Sequence, residues 1–123
     1  MGGNPYQIYK QQSVMTMTPG QMLLTVYDEL IKQISFAKQG FVNNSVTEIN
    51  SSLQKAQHIV RELQTTLNFD YAISGNLNDL YDYFIHVLVN SNIKKKADGL
   101  DDVLQMVVEL REAFAQADKQ SRC

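Results

Sequence analysis

Residues 45–67 read SVTEINSSLQKAQHIVRELQTTL, and the fold turns on how this stretch is read. Ile49, Leu53, Ala56, Val60, Leu63 and Leu67 alternate steps of four and three, the spacing by which left-handed helix bundles keep one face toward a neighbour. Ser45 stands three residues before Glu48, the capping box that opens a helix by satisfying its first free N–H groups. The expectation is a helix over 46–67 with one seam.

Upstream, Thr18-Pro19-Gly20-Gln21 has the chemistry of a helix start: Thr18 caps, Pro19 takes the first helical position and Gln21 reaches back to the cap. Met17 and Met22 fit a hydrophobic staple across it. From there Met22, Val26, Leu30 and Ala37 form one apolar row, and Leu23, Tyr27, Ile31, Ile34 and Phe41 form another. Asp28, Glu29, Lys32, Gln33 and Lys38 fall mainly on the other face. This predicts a helix over 19–41, ended by Gly40 and the Asn43-Asn44 pair, with a stripe wide enough to face two neighbours or to line a groove.

Downstream, a link at 68–71 leads to Ile73, Leu77, Leu80, Phe84, Val87 and Leu88, a helix over 72–91 that Gly75 weakens slightly. After Lys94-Lys95-Lys96, Asp98 is placed to cap a fourth helix whose stripe is Leu100, Val103, Leu104, Val107, Leu110 and Phe114. Four helices joined by short links must run antiparallel, since a few residues cannot return the chain to its starting end. The fold class is therefore all-α: an antiparallel up-and-down four-helix bundle over 19–117, with an extended N-terminal arm over 1–18 and a polar, frayed tail over 118–123. The arm carries Tyr6, Ile8, Tyr9, Val14, Met15 and Met17, apolar residues that belong to no capped stripe.

Composition narrows the function. At 123 residues the chain holds one core, and 44% apolar with 20% charged residues is ordinary globular composition. Eleven basic residues against 13 acidic ones leave a formal charge of -2, unlike the basic surplus of nucleic-acid binders. No apolar run approaches the roughly 20 residues of a membrane span, and 1–18 has no apolar signal core, so the expectation is a cytosolic protein without membrane insertion. Tyr6 occupies the position where a myristoylation motif needs Ser or Thr. The single cysteine, Cys123, forms no intramolecular disulfide.

Catalytic patterns are missing. A ferritin-like metal bundle needs Glu-x-x-His on facing helices, which this sequence lacks, and His58 and His86 both lie off the seams. Asp28-Glu29 and Asp101-Asp102 are neighbours that point about 100 degrees apart on a helix, so neither pair converges on one bond. There is no phosphate loop or nucleophile elbow. The sequence predicts a binding protein rather than an enzyme, with no cofactor. Tyr81, Tyr83 and Phe84 join the wide first-helix stripe as a surplus of apolar side chains that reads, as a set, as a partner site.

Six blocks in order then carry a resemblance. Asn4-Pro5-Tyr6-x-x-Tyr9, Ser13-Val14-Met15-Thr16-x-Thr18-Pro19-Gly20 and Leu24-x-x-Tyr27-Asp28 come first. Lys55-Ala56-Gln57-x-Ile59-Val60-x-Glu62-Leu63 with Thr66-Leu67-Asn68 follows, then Asn76-Leu77 with Leu80-Tyr81-Asp82-Tyr83-Phe84, and finally Asn92-Ile93. Over about residues 4–116 the chain resembles the FliS flagellar export chaperones. The resemblance implies a bacterial cytosolic bundle that binds the C-terminal helical segment of flagellin, keeps it from polymerising, and delivers it to a component of the flagellar export gate, without nucleotide or metal. The groove residues expected on this reading are Leu23, Tyr27, Leu63, Leu67, Tyr81 and Phe84, with Tyr6, Ile8, Tyr9, Val14 and Met15 of the arm covering part of the groove until flagellin displaces them. An adaptor for another flagellar or secretion client would share the same shape. The sequence permits a monomer, a domain-swapped dimer or a homodimer formed through the groove.

Overall fold

The computed structural model describes residues 17–121 and builds them into four α-helices: α1 (Pro19–Val42), α2 (Val46–Thr65), α3 (Ala72–Lys94) and α4 (Leu100–Ser121). At about 1.5 Å rise per residue they are roughly 30 to 36 Å long. They form the up-and-down bundle that the periodicity predicts, with no strand among the described residues. Substantial packing joins α1 to α2, α2 to α3 and α1 to α4, whereas α3 and α4 share the smallest seam.

Local chemistry fixes the helix ends. The Thr18 hydroxyl accepts from the Gln21 N–H at 3.1 Å, and the Gln21 side chain accepts from the Thr18 N–H at 3.0 Å, so the capping box is complete. At Ser45 only half of the expected box forms: its hydroxyl accepts from the Glu48 N–H, while its own N–H goes back to the Gly40 carbonyl at 2.9 Å. That bond belongs to the end of the preceding helix, and it takes the donor the glutamate would have used. Met22 is 45% exposed, and the sulfur of Met17 accepts from the Thr25 hydroxyl instead.

The boundaries differ from the sequence reading where side chains, rather than apolar periodicity, decide. Helix α1 continues through Gly40 to Val42, and Asn44, at φ 55, makes the turn. Thr66 closes α2 two residues early, its hydroxyl bonding the Leu63 carbonyl at 2.8 Å. Helix α3 extends to Lys94, and Lys95 caps it in the left-handed region while its ammonium bonds both oxygens of Asn92 at 2.6 Å. Gly99, at φ 84, and not Asp98, precedes α4, its carbonyl accepting the Val103 N–H. Helix α4 runs past 117 to Ser121.

The core gathers Tyr27, Leu30, Ile34 and Ala37 of α1, the α2 seam from Ile49 to Leu63, Tyr81, Phe84 and Leu88 of α3, and Leu100, Val103 and Val107 of α4. The α1 core line runs between the two predicted rows. In α3 the inner line holds Ser74, Tyr81, Phe84, Leu88 and Ser91, and Ile73, expected inside, is 60% exposed. Ser74 is admitted because its hydroxyl donates to the Asn68 carbonyl at 2.6 Å. Tyr81 is admitted because its hydroxyl meets that of Tyr27 at 2.5 Å, a buried bond across the bundle. Hydropathy alone does not register residues whose polar atoms are satisfied internally.

Polar side chains close two seams at both ends. Between α2 and α3, Asn92 donates to Asn50 at 3.0 Å, and Gln64 donates to Asp82 at 2.7 Å and Asn78 at 3.2 Å. Between α1 and α4, Arg111 forks onto Asp28 at 2.8 and 3.3 Å, and Lys38 meets Asp101 at 2.5 Å. Exposed pairs of this kind contribute at most about 1 kcal/mol each, so they set alignment more than stability.

Two glycines give opposite expectations. A methyl group on Gly40 would stand 3.1 Å from the Ile49 backbone nitrogen and 3.2 Å from the Glu48 Cβ, because α1 and α2 nearly touch there. Gly40→Ala should therefore destabilise by about 1 to 2 kcal/mol, overpacking exceeding the gain of up to about 1 kcal/mol in helix propensity. Nothing lies within 4 Å of a methyl on Gly75, so Gly75→Ala should stabilise by about 0.5 to 1 kcal/mol. Urea unfolding of both variants checks the pair.

The tyrosine pair gives a second test. Tyr27→Phe or Tyr81→Phe alone should cost about 1 to 3 kcal/mol by leaving one buried hydroxyl unpaired, and the double variant should cost less than the sum. Additive costs would refute the coupling. Burial raises the pKa of both phenols above the ordinary value; for Tyr27 the hydrogen bond to Tyr81 adds to the rise, and for Tyr81 the bond to Tyr27 partly offsets it. Below about pH 10 both states keep these protons and the full stability is present; above it the unfolded chain releases protons that the native state retains, so stability falls as pH rises. The double Phe variant should show a shallower alkaline loss in thermal melts.

Candidate functional site

An open apolar groove lies where the start of α1 passes the end of α2. The capping box at Thr18 begins α1 there and Thr66 ends α2 there, so the antiparallel pair sets Pro19, Met22, Leu23 and Val26 against Glu62, Leu63 and Thr66 around a hollow of about 320 Å³. Leu63 is buried and forms the floor, while Leu23 and Val26 are half-buried walls and Met22 forms an exposed rim. The walls carry almost no polar group. Glu62 is turned to the rim, where His58 faces it at 3.6 Å.

At the same end of the bundle the link and the first turn of α3 present Phe69, Tyr71 and Ile73, each at least 60% exposed. Leu67 is half-buried against the core beside them. Three large apolar side chains in water within five residues are more than scattered surface hydrophobics, and they extend the apolar character of this end.

Of the residues expected at a groove, Leu23 and Leu63 line it and Leu67 lies at its end of the bundle. Tyr27, Tyr81 and Phe84 are buried inside the bundle, where Tyr27 packs on Phe114 at 5.5 Å between ring centres and Tyr81 on Phe84 at 6.3 Å. They belong to the core and not to the groove lining. The tyrosine pair explains why: each hydroxyl satisfies the other, so neither ring needs a wet edge. Tyr6, Ile8, Tyr9, Val14 and Met15 lie outside the described residues.

Pro19, Met22, Val26, Glu62 and Thr66 join the groove without having been singled out. The signal for Met22 and Val26 was present in the double apolar row of α1. No apolar signal marked Gln33, which the sequence places on the outer face but the structure buries to 6% exposure, its amide donating to Glu29 at 3.0 Å. Among the described residues no group of three or more His, Cys, Asp or Glu is placed to hold a metal ion, and no helix is long and apolar enough to cross a membrane. What the arrangement offers at this end of the bundle is an open apolar surface.

Comparison with known proteins fits this geometry. Residues 2–121 match the family model described as flagellar protein FliS. The flagellar secretion chaperone FliS of Bacillus subtilis is 39% identical over 119 residues, covering 97% of this chain and 90% of that protein. Its counterpart in Salmonella typhimurium is 27% identical over 117 residues, covering 89% and 84%. A solved structure described as a flagellar chaperone from bacteria superposes with a TM-score of 0.78 over 94% of this chain and 95% of its own, at 20% identity, a likeness of fold. With a bundle of the same shape, a family match along almost its whole length and a relative of 39% identity, the chain belongs to the FliS family of flagellar secretion chaperones.

Proposed function

We propose that this protein binds the C-terminal helical segment of flagellin in the groove between α1 and α2, keeps it unpolymerised in the bacterial cytosol, and delivers it to the flagellar export gate. One observation carries the reading: a chain of a flagellar secretion chaperone family presents an open, nearly unpolar groove walled by two helices. An amphipathic segment laid in such a groove buries its apolar face, the face through which identical segments would otherwise associate. Binding alone accomplishes this, so the reading requires neither catalytic group nor cofactor.

The arm fits the same account. In this reading Tyr6, Ile8, Tyr9, Val14 and Met15 belong to the arm that precedes Pro19 in the sequence. Their apolar side chains are suited to cover the groove in the free chaperone and to yield to flagellin, which spares the groove from sticking to other surfaces.

Calorimetric titration with the C-terminal segment of the cognate flagellin tests both parts. Met22→Glu puts a charge on the exposed rim and should leave thermal stability within about 0.5 kcal/mol of the parent while weakening binding about tenfold or more. Lack of binding by the parent protein, or equal binding by Met22→Glu, overturns the groove assignment. Deleting residues 1–15 should tighten flagellin binding; unchanged affinity with unchanged self-association removes the arm from the account.

A further inference from the structure

The last turn of α4 carries an acidic residue, Asp118, where local chemistry disfavours one. A carboxylate near a helix C-terminus faces the negative end of that helix's own dipole and weakens it. Antiparallel packing brings this turn to the start of α1, where the sign is reversed. The first turn of α1 has no acidic residue of its own. There Pro19 has no N–H, Gln21 and Met22 donate to Thr18, and Gly20 keeps the one N–H that the cap leaves over.

Gly20 is where the two helices meet. A methyl group on it would stand 2.8 Å from the carboxyl carbon of Asp118 and closer still to one carboxylate oxygen. The space that a side chain would fill is thus the seat of the carboxylate, whose other oxygen is buried. Two polar ties lead along the same seam to this point, Lys38 with Asp101 and Asp28 with Arg111. From the first tie to the second is ten residues on either helix, and from the second to the Gly20–Asp118 contact is eight on α1 and seven on α4. One antiparallel register therefore serves all three.

We infer that Asp118 is a clasp: its carboxylate, seated on Gly20, holds the last turn of α4 against the first turn of α1 and offsets the positive end of the α1 dipole. Helix α4 has particular need of it, because its seam with α3 is the smallest and among the described residues nothing beyond Phe114 joins the core. The α1 turn so held begins a wall of the apolar groove, since Pro19 lines that groove and Leu23 follows one turn later. Asp118 is thus a positioning residue for this end of the bundle, acting through the α1 backbone.

A double-variant cycle followed by thermal melts tests the clasp. Asp118→Ala should lower the melting temperature by about 2 to 5 °C. Gly20→Ala should also lower it in the parent, where the methyl group unseats the carboxylate. In the Asp118→Ala background the same change should raise it, because the seat is empty and only the loss of glycine's freedom in the unfolded chain remains. Equal effects of Gly20→Ala in the two backgrounds would overturn the contact. Hydrogen exchange reads the coupling between the helices: Asp118→Ala should speed exchange of the Met22 to Val26 amides about threefold or more, although the substitution lies on α4. If faster exchange is confined to the last turn of α4, the positioning role falls. None of these measurements involves flagellin, so the clasp and the proposed function stand or fall separately.

Discussion

Two phenol hydroxyls, on Tyr27 of α1 and Tyr81 of α3, set the rotation of the helices that carry them. Each is buried among apolar side chains and has the other as its partner, so turning either helix about its axis would strand a hydroxyl in the core. With Tyr81 inside, Ser74 and Leu88, each seven residues away, share its line, and Ile73, one residue from Ser74, is carried about 100 degrees outward. With Tyr27 inside, Leu30, Ile34 and Ala37 complete the core line, and the side of α1 that bears Met22, Val26 and Gln33 is left along the α2 boundary. The core bond and the surface groove are consequences of one rotation.

That dependence explains what was legible in advance. The α2 seam was read correctly from Ile49 to Leu63 because its inward positions are apolar except Ser52, and a period of hydrophobicity is then a period of burial. The number, order and direction of the helices followed from that seam, the Thr18 box and the short links. Helix α3 was read correctly at Phe84 and Leu88, but Ser74, Tyr81 and Ser91 of its inner line were missed, because each is acceptable there only through a partner distant in sequence or in the link. No local pattern encodes such a partner. The same limit applies to the site: the width of the α1 stripe announced a groove, but Tyr27 and Phe84 could not be told from groove residues until their neighbours were known. Gln33 looked like any solvated glutamine.

The groove and the core differ in what they ask of their residues. Core positions need volume and satisfied polar atoms, so their identities are constrained by one another. Met22, at the groove rim, is 45% exposed, and its side chain contributes little to holding the bundle together. A methionine at the rim is unbranched and adaptable, so its shape is not set by the core beneath it.

The thin seam between α3 and α4 makes the bundle an open trough rather than a closed cylinder, with the helices ordered α3, α2, α1, α4 around it. Prising the trough wider along that seam sacrifices less apolar burial than along any other, so it is the compliant direction of the molecule. Its spine is the α1–α2 pair, where Gly40 lets the two backbones nearly touch. Elastic strain from a bulkier interior is thus relieved on the far side of the molecule, and the groove on the spine keeps its shape.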